Sequence, residues 1–492
     1  MLAKLLSLSA LASMAILQVQ AKPADLVTCL QQIKGSSYLI TPSSNNYTIE
    51  SVGENYLFNY KPNAIFHPGN EVDVQAAIKC AGQYNVAIAP RSGGHSFEGY
   101  CQGGRDGVLV LDLNQFKKFN INKKTNIATV GAGFRLGPLY DALWKSGKYM
   151  VSAGTCPTVG IGGHALGGGI GMTSRKYGLL SDNIVAMNIV TPDGKLNRVD
   201  KNSNKDLFWA LRGAGGGSFG VVTQFEIQAY KAPSKVTTMT HDFPLSDYAK
   251  VLKAYAEWGQ SVTNDLMAEM NLDSGGGIQI QVTYLGPKTD ANKAVASLFA
   301  VTGKPKSSDV REGTWLDAAI RFAWMQNKDL SKPKAGDAHY AKGRSLVYRQ
   351  PLSKEEGDII YKYLSKPPKG ITAAYVIVDL WTGKVQKPDS ESSFVHRDAI
   401  FGIEFVTEWG GPETKPGLPP CTPCQKWSLA FFQEMLGAYS SKPIYAYSNY
   451  IDRDLPDSLV AYYGDSLPRL KSIKKAVDPK NLFNFPQSIP LS

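Results

Sequence analysis

A histidine lies in a glycine-rich segment of a kind that binds phosphate groups. His95 belongs to Pro90-Arg91-Ser92-Gly93-Gly94-His95-Ser96, which directly follows a predicted buried strand at residues 86–89. Two glycines after a strand permit a turn whose amide N–H groups point inward, which suits a pyrophosphate, and Arg91 would add positive charge. By itself the segment is equally consistent with a tight turn and an incidental histidine.

A cysteine and a second histidine lie in a longer glycine-rich segment, residues 154–169. It contains seven glycines together with Cys156 and His164. Residues 160–165 match the dinucleotide-binding fingerprint, but that pattern requires a buried strand leading into its first glycine, and Thr155 to Thr158 precede it instead. We therefore reject a Rossmann site. Because glycine tracts are entropically costly, this one indicates backbone lying against a flat ligand.

A third segment, residues 209–220, has a similar composition and again leads into a predicted strand. Three such loops in one region, one with a histidine and one with a cysteine, are unlike an ordinary set of surface turns. Together they predict a domain that encloses a ligand with its backbone.

The motifs Gly-Gly-His95-Ser and Gly-Thr-Cys156-Pro-Thr-Val-Gly-Ile-Gly-Gly-His164 carry a family resemblance. The chain resembles the berberine-bridge-enzyme-like flavoproteins of the VAO/PCMH type, most closely the fungal glucooligosaccharide and chitooligosaccharide oxidases. The resemblance implies FAD held by two covalent bonds, from His95 to the 8α-methyl carbon and from Cys156 to C6. It also implies an α+β fold of two domains: an FAD-binding domain at 22–235 and a substrate-binding domain at 236–440, in which helices cover an antiparallel sheet. The segment 441–492 would return to the FAD domain.

The resemblance further implies a set of cofactor contacts along both motifs and at later positions. Val159 lies where the family gates oxygen access to the flavin, and a small side chain there favours oxidase over dehydrogenase behaviour. The predicted cofactor contacts are Arg91, Ser92, Gly93, Gly94, His95, Ser96, Gly154, Thr155, Cys156, Val159, Gly160, Gly162, Gly163, His164, Gly168, Gly220, Val222 and Asn449.

The candidate catalytic base lies in Tyr447-Ser448-Asn449-Tyr450. From the residues alone, these tyrosines could simply be packing in a strand. The resemblance assigns Tyr450 as the base and places Tyr447 along the site. A phenol has an ordinary pKa near 10 and needs help to accept a proton at neutral pH. Asp379 is the predicted helper, because a lone carboxylate in the otherwise apolar segment 374–380 would be costly without a partner.

The predicted substrate pocket departs from the family pattern. Period-two alternation places Tyr375 and Ile377 on the same strand face as Asp379. The related oxidases carry tyrosine at the position of Phe97 and glutamine at those of Ile377 and Glu404, and an arginine/glutamate pair is replaced near Glu269 and Asn271. Loss of hydrogen-bonding partners alters specificity strongly. The predicted substrate contacts are Tyr447, Tyr375, Ile377, Glu404, Phe97, Glu269 and Asn271.

These features predict an oxidase that converts the anomeric hydroxyl of a mono- or oligosaccharide to a lactone and releases hydrogen peroxide. Ile377 and Phe97 make the pocket more apolar and keep open a second interpretation, an oxidase or dehydrogenase of an alcohol or secondary metabolite. A sugar-binding protein with a non-catalytic flavin is a third, which the retained Tyr450 and Asp379 disfavour.

Short apolar runs and amphipathic segments predict the elements that hold these residues. Up to residue 230, short apolar runs alternate with helical segments, which predicts an α+β arrangement. After residue 235, strand-like alternation of apolar and polar residues is interspersed with amphipathic helices. Predicted strands are 86–89, 108–111, 127–130, 184–190, 220–227, 277–284 and 375–380. Predicted helices are 26–33, 72–84, 136–145, 354–364, 457–463 and 467–477.

Chain length, net charge and the N-terminal segment limit the class of protein. A chain of 492 residues exceeds one compact core, which favours two domains. Residues 1–21 have the charged start, apolar run and small-residue end of a signal peptide, and Asn46 heads the sequon Asn-Tyr-Thr. We expect a secreted, soluble monomer without a membrane or nucleic-acid partner. The formal net charge of +11 comes from scattered residues, which is typical of solubility.

Six cysteines predict disulfides in an oxidising compartment. The resemblance assigns its N-terminal disulfide to Cys29 and Cys80. If Cys156 carries the cofactor, three cysteines remain. Cys421 and Cys424 could then pair with each other, or one could capture Cys101. Half of a zinc site is disfavoured because the chain has no second cysteine pair, and we expect no metal.

Overall fold

The computed structural model describes residues 25–33, 38–323, 328–333, 340–387, 391–410, 414–416 and 421–492. The predicted signal peptide lies outside these residues. The helices of the described chain are α1 Leu26–Gln31, α2 Tyr47–Glu50, α3 Glu71–Tyr84, α4 Leu136–Lys145, α5 Ile161–Leu166, α6 Ser174–Tyr177, α7 Lys205–Ala210, α8 Tyr248–Ser261, α9 Lys288–Thr302, α10 Trp315–Arg321, α11 Lys354–Ser365, α12 Thr422–Ala438, α13 Ser458–Tyr463 and α14 Leu467–Val477. Among these helices, none is both long and apolar enough to cross a membrane.

The strands form two small sheets, a two-stranded ribbon and one large sheet. They are β1 Tyr38–Ile40, β2 Ala64–His67, β3 Ile88–Arg91, β4 Leu109–Asp112, β5 Phe119–Asn122, β6 Ile127–Gly131, β7 Tyr149–Met150, β8 Ile184–Val190, β9 Leu196–Asp200, β10 Val221–Gln228, β11 Tyr230–Lys231, β12 Val236–Pro244, β13 Leu266–Asp273, β14 Gly277–Tyr284, β15 Ser307–Gly313, β16 Tyr340–Tyr348, β17 Ile371–Leu380 and β18 Phe401–Trp409.

The N-terminal half of the chain builds the two small sheets. The first has the order β1-β2-β4-β3, with β4 parallel to both β2 and β3, and the second has the antiparallel order β5-β6-β10-β8-β9. The strand predicted to end before Pro90 instead continues through it to Arg91. Because β3 is an edge strand, the missing N–H of Pro90 costs no ladder hydrogen bond.

The large sheet has seven antiparallel strands in the order β15-β12-β14-β13-β17-β18-β16. Side chains on β17 alternate, so that Val376, Val378 and Leu380 are buried beneath helices. Tyr255 of α8 donates its hydroxyl to the carbonyl of Val378 at 3.0 Å, which ties that helix to the sheet. The opposite face carries Tyr375, Ile377 and Asp379. The α+β class and the helix-covered antiparallel sheet are therefore confirmed.

The last helices and the C-terminal segment pack on the two small sheets. The Ile88 amide of β3 donates to the Leu482 carbonyl at 2.8 Å. The buried ammonium of Lys474 donates to the Ser218 carbonyl at 2.7 Å and to Asp478 at 2.7 Å. The predicted helix 467–477 and strand 277–284 match α14 and β14 at both ends, because their apolar periodicity and their Pro or Gly boundaries are local signals.

Two disulfides are present in the described chain. Cys29 of α1 pairs with Cys80 of α3, with Cα atoms 5.8 Å apart, which confirms the predicted bridge. Cys421 pairs with Cys424 at the start of α12, so the pair closes on itself and neither captures Cys101. Cys101 and Cys156 take part in neither disulfide.

Candidate active site

A cavity of about 1240 Å³ lies between the glycine-rich loops of the small sheets and the uncovered face of the large sheet. This volume exceeds the roughly 300–1,000 Å³ of a pocket for one drug-sized ligand. Loops from both sheets of the N-terminal half form one side, and β13, β14, β17 and β18 form the other. The cavity therefore joins the two parts of the chain that the sequence assigned to cofactor and substrate.

The loops that carry His95 and Cys156 meet at one side of this cavity. The Gly162 amide donates to Ser92 Oγ at 3.2 Å, and that hydroxyl donates to the Ala132 carbonyl at 2.6 Å. Both His95 and Cys156 line the cavity and are partly exposed to it. Two side chains distant in sequence thus converge on one space.

His95 has a charged neighbour that the sequence did not reveal. Its Nε2 lies 3.5 Å from Glu54 Oε1, and Arg135 Nη1 lies 3.4 Å from the same oxygen. Arg135 also donates from Nη2 to the Gly93 carbonyl at 3.2 Å. Glu54 and Arg135 lie outside both motifs, and no pattern around either residue marks it as part of a site.

Cys156 and His164 sit in different surroundings within their segment. Cys156 Sγ lies 3.4 Å from Thr158 Oγ1. His164 Nε2 accepts the Gly154 amide at 2.9 Å, and burial lowers the pKa of the imidazole to about 4. His164 is therefore neutral at physiological pH and fixes the backbone at Gly154.

Most of the predicted cofactor contacts line the cavity. These are Ser92, Gly93, Gly94, His95, Ser96, Gly154, Thr155, Cys156, Val159, Gly160, Gly162, Gly163, His164, Gly220, Val222 and Asn449. Gly215, Gly216 and Gly217 of the third glycine-rich segment line it as well, although they were not singled out as contacts.

Arg91 and Gly168, which were also predicted as cofactor contacts, do not line the cavity. The Arg91 side chain is buried against Asp112, its register partner on β4, and donates to the Glu50 carbonyl at 2.6 Å. The positive charge of Arg91 is paired with the Asp112 carboxylate inside the first sheet. A β-carbon on Gly168, at φ +128°, would lie 3.1 Å from the Phe394 ring, so this glycine serves backbone packing.

All the predicted substrate contacts line the cavity, and five of them lie on strands of the large sheet. Register pairs Glu269 of β13 with Asp379 of β17, and Ile377 of β17 with Glu404 of β18. The tyrosine hydroxyl of Tyr375 donates to Glu408 at 3.0 Å. Alternation places these side chains on one face. The residues concerned are Tyr447, Tyr375, Ile377, Glu404, Phe97, Glu269 and Asn271.

Tyr450 and Glu404 both line this cavity, close enough for each to influence the pKa of the other. Burial, followed by the charges of Glu404 and Asp379, raises the pKa of the Tyr450 phenol well above its ordinary value. Burial and the neighbouring Glu269 raise the pKa of Glu404 to about 8, although the Tyr450 hydroxyl acts in the opposite direction. Asp379, the predicted helper of Tyr450, lines the same cavity, and its role stays a prediction.

Asp379 also acts on Tyr450 through its charge. Burial, then Glu269 and Glu404, raise the pKa of Asp379 well above the ordinary value. Because Asp379 pairs in register with Glu269 on β13, its carboxyl lies beside another acid rather than beside a base. The adjacent strand could not be identified from the sequence.

Tyr447 and Asn449 shape the turn that presents Tyr450. The segment is a turn rather than a strand, closed by the Tyr450 amide donating to the Tyr447 carbonyl at 2.9 Å. Tyr447 Oη accepts the Gly169 amide and the Asn449 side-chain amide, both at 2.8 Å. Asn449 also donates to the His164 carbonyl at 3.1 Å. The turn is thereby anchored to the segment that carries Cys156.

Residues 62–200 match the FAD binding domain family, and residues 446–490 match the berberine and berberine-like family. The chain is 31% identical to a xylooligosaccharide oxidase of Thermothelomyces thermophilus over 95% of each protein. The chain belongs to the berberine-bridge-enzyme-like family. Among solved structures, BBE-like 1 of Physcomitrella patens is similar with a TM-score of 0.86 and 36% identity, covering 95% of this chain and 99% of that one.

A glucooligosaccharide oxidase of Acremonium strictum, which carries 6-S-cysteinyl, 8α-N1-histidyl FAD, is 26% identical with a TM-score of 0.86. It covers 95% of this chain, and this chain covers 99% of it. The matches therefore extend beyond the FAD-binding segment to nearly the whole molecule.

The residues of this berberine-bridge-enzyme-like protein fit FAD. A β-carbon on Gly163 would meet no atom within 4 Å, and one on Gly216 would meet nothing closer than 3.7 Å. The backbone at these glycines is thus open toward the cavity, as close approach of a flat ligand requires. His95 and Cys156 line the same cavity, which has room for a dinucleotide and a substrate.

Proposed function

We propose that this protein is an FAD-dependent oxidase that oxidises the anomeric hydroxyl of a mono- or oligosaccharide to a lactone and releases hydrogen peroxide. The observation that carries the proposal is that Tyr450 and Glu404 lie in the same cavity as His95 and Cys156. Similar proteins are named as oligosaccharide oxidases, which supports a sugar as the substrate.

His95 and Cys156 would hold the FAD through two covalent bonds. Such bonds keep the cofactor in place in a cavity open to large substrates. When bound, FAD accepts a hydride from the substrate carbon and passes the electrons to O₂, giving hydrogen peroxide. Val159 would leave oxygen a path to the ring because its side chain is small.

Tyr450 would accept the proton of the substrate hydroxyl only as it gives up its own. Its raised pKa means that the phenol stays protonated at neutral pH. The substrate proton would move to Tyr450 Oη while the phenolic proton moves to Glu404. With a pKa of about 8, the Glu404 carboxylate is a stronger base than an ordinary carboxylate.

The protein is also proposed to be secreted as a monomer after removal of residues 1–21. Asn46, which is exposed, would be the glycosylated residue. The domain boundaries proposed from the sequence, 22–235 and 236–440 with a returning segment 441–492, agree with the change from small sheets to the large sheet near β12.

A panel of mono- and oligosaccharides tests the sugar-oxidase assignment. We expect one or more to bleach the flavin under anaerobic conditions, and to yield one equivalent of peroxide per lactone in air. The matched control Tyr450→Phe keeps the ring and should lose turnover. If no sugar bleaches the flavin, the assignment fails.

A second candidate is an oxidase of an alcohol or secondary metabolite. Phe97 packs edge-on against Tyr450, with ring centroids 6.2 Å apart, and Ile377 adds a second apolar group near the base. Bleaching by hydrophobic alcohols but by no sugar would favour it.

A further inference from the structure

The large-sheet face of the cavity is acidic in a basic protein. Five carboxyl groups line it, and the described residues that line the cavity include no lysine or arginine. The chain as a whole carries a formal net charge of +11. Overall composition therefore does not explain this concentration of acid. The five groups belong to Glu269, Asp273, Asp379, Glu404 and Glu408.

Asn271 adds a hydrogen-bond acceptor without a partner to the same face. Its side-chain amide donates to Glu269 Oε1 at 2.8 Å, which fixes the orientation because a carboxylate only accepts. The amide oxygen is then directed away from Glu269, and it has no hydrogen-bond partner among the described residues. Asn271 is 6% exposed, so bulk water does not readily satisfy it.

A ligand ammonium group would offset the negative charge of the acidic face and would also donate a hydrogen bond to the Asn271 amide oxygen. It supplies up to three N–H donors and one positive charge, whereas a hydroxyl supplies one donor and no charge. Burial raises the pKa of both Glu269 and Asp379, and the two acids also face each other across register-paired strands. A cation between them and Asn271 would relieve this repulsion.

We propose that Glu269 and Asn271 form a subsite for a protonated amino group, so that the substrate is a saccharide with a free amine. The inference rests on the proposed sugar-oxidase function and specifies its substrate class. Glu404 remains with Tyr450 in proton transfer, while Glu269 and Asn271, two residues apart on β13, recognise the amine.

Three β-1,4-linked oligomers of equal length test the subsite: glucosamine, glucose and N-acetylglucosamine. They differ only at C2, which carries an ammonium, a hydroxyl or an acetamide. Calorimetric titration into the holoenzyme, below the pKa of the amine, measures binding independently of turnover. We expect the glucosamine oligomer to bind about tenfold more tightly than the other two, because charge-assisted hydrogen bonds are roughly twice as strong as neutral ones.

Glu269→Gln should abolish this preference, since a charge-assisted bond is replaced by a neutral one of similar shape. Asn271→Leu, which removes the amide oxygen that would accept from the amine, should also reduce the preference for the glucosamine oligomer. The matched control is Glu312→Gln, which removes an exposed carboxylate outside the cavity that pairs with Lys235. This control should bind all three oligomers as wild type does.

Each outcome is decisive. Equal or weaker binding of the glucosamine oligomer by wild-type enzyme overturns the subsite, and peroxide from the glucose oligomer in the same samples would leave the oxidase proposal intact. Preferential glucosamine binding without peroxide from any oligomer supports the subsite and overturns the sugar-oxidase proposal. A preference that survives Glu269→Gln also overturns the subsite.

Discussion

Gly93 and Gly160 approach each other so closely that neither position accommodates a side chain. A β-carbon on Gly93 would lie 2.2 Å from the Gly160 nitrogen, and one on Gly160 would lie 2.1 Å from the Gly93 nitrogen. These two glycines hold the His95 loop against the Cys156 loop. Two motifs that the sequence presents separately are thus parts of one contact.

Gly160→Ala should separate the two loops, because backbone atoms cannot give way as a flexible side chain can. We expect a loss of stability of about 1–3 kcal/mol or more from overpacking, together with loss of bound flavin. Thermal unfolding and the flavin-to-protein absorbance ratio measure the two effects.

Gly163→Ala is the matched control for that substitution. Its β-carbon meets no atom of the protein within 4 Å, and the residue lies within α5. Alanine in a helix should maintain or raise stability by up to about 1 kcal/mol, while the added methyl group intrudes on the flavin. If both variants retain wild-type flavin content, the cavity is not the FAD site.

Two covalent links predict a graded response of the flavin to denaturation. His95→Ala and Cys156→Ser should each retain yellow colour in an acid-precipitated pellet, because one bond remains. The double variant should release FAD into the supernatant. Free FAD released from wild-type protein would contradict bicovalent attachment.

Glu404→Gln should lower kcat by about 10²–10⁴-fold, the range of a general base. Because only the carboxylate form of Glu404 accepts a proton, wild-type kcat should rise with pH through about 8. The groups facing it are Glu269, Glu408, Asp379 and Tyr450. The variant should lose this step in its pH profile.

Asp379→Asn distinguishes the two carboxyls near the base. Burial and the neighbouring acids raise the pKa of Asp379 well above its ordinary value, which favours the neutral carboxyl form, and asparagine is a neutral substitute of similar shape. We expect a smaller loss of kcat than in Glu404→Gln. A larger loss would restore Asp379 as the proton acceptor.

A buried ion cluster joins the segment after His95 to the large sheet. Lys342 of β16 contacts the fully buried carboxylate of Glu98 and lies 2.8 Å from Asp452, which is 1% exposed. Arg453 pairs with the other oxygen of Glu98. The cluster therefore connects three distant parts of the chain.

Lys342→Met should destabilise the protein by about 3–5 kcal/mol, because Glu98 and Asp452 would keep their burial without their shared cation. The matched control is Lys354→Met, which breaks an exposed pair with Asp358 worth only about 0.3–0.5 kcal/mol. Chemical denaturation of both variants compares their free energies of unfolding. Similar midpoints for the two variants would show that the cluster contributes little.

The sequence by itself determined the local elements and the chemistry-bearing motifs. Periodicity and boundary residues located α4 and α14, the glycine tracts indicated a flat ligand, and the family resemblance carried by the motifs around His95 and Cys156 implied that this ligand is a flavin. Such signals depend on neighbours within a few residues, so no tertiary information is needed.

Only the tertiary structure decided which side chains meet. It placed Glu54 beside His95, buried Arg91 against Asp112, and brought Glu404 as well as Asp379 close to Tyr450. Alternation along β17 predicts which residues share a face but not which strands lie on either side. Strand order and register are set by packing across the whole sheet, and they determine the charge around the catalytic tyrosine.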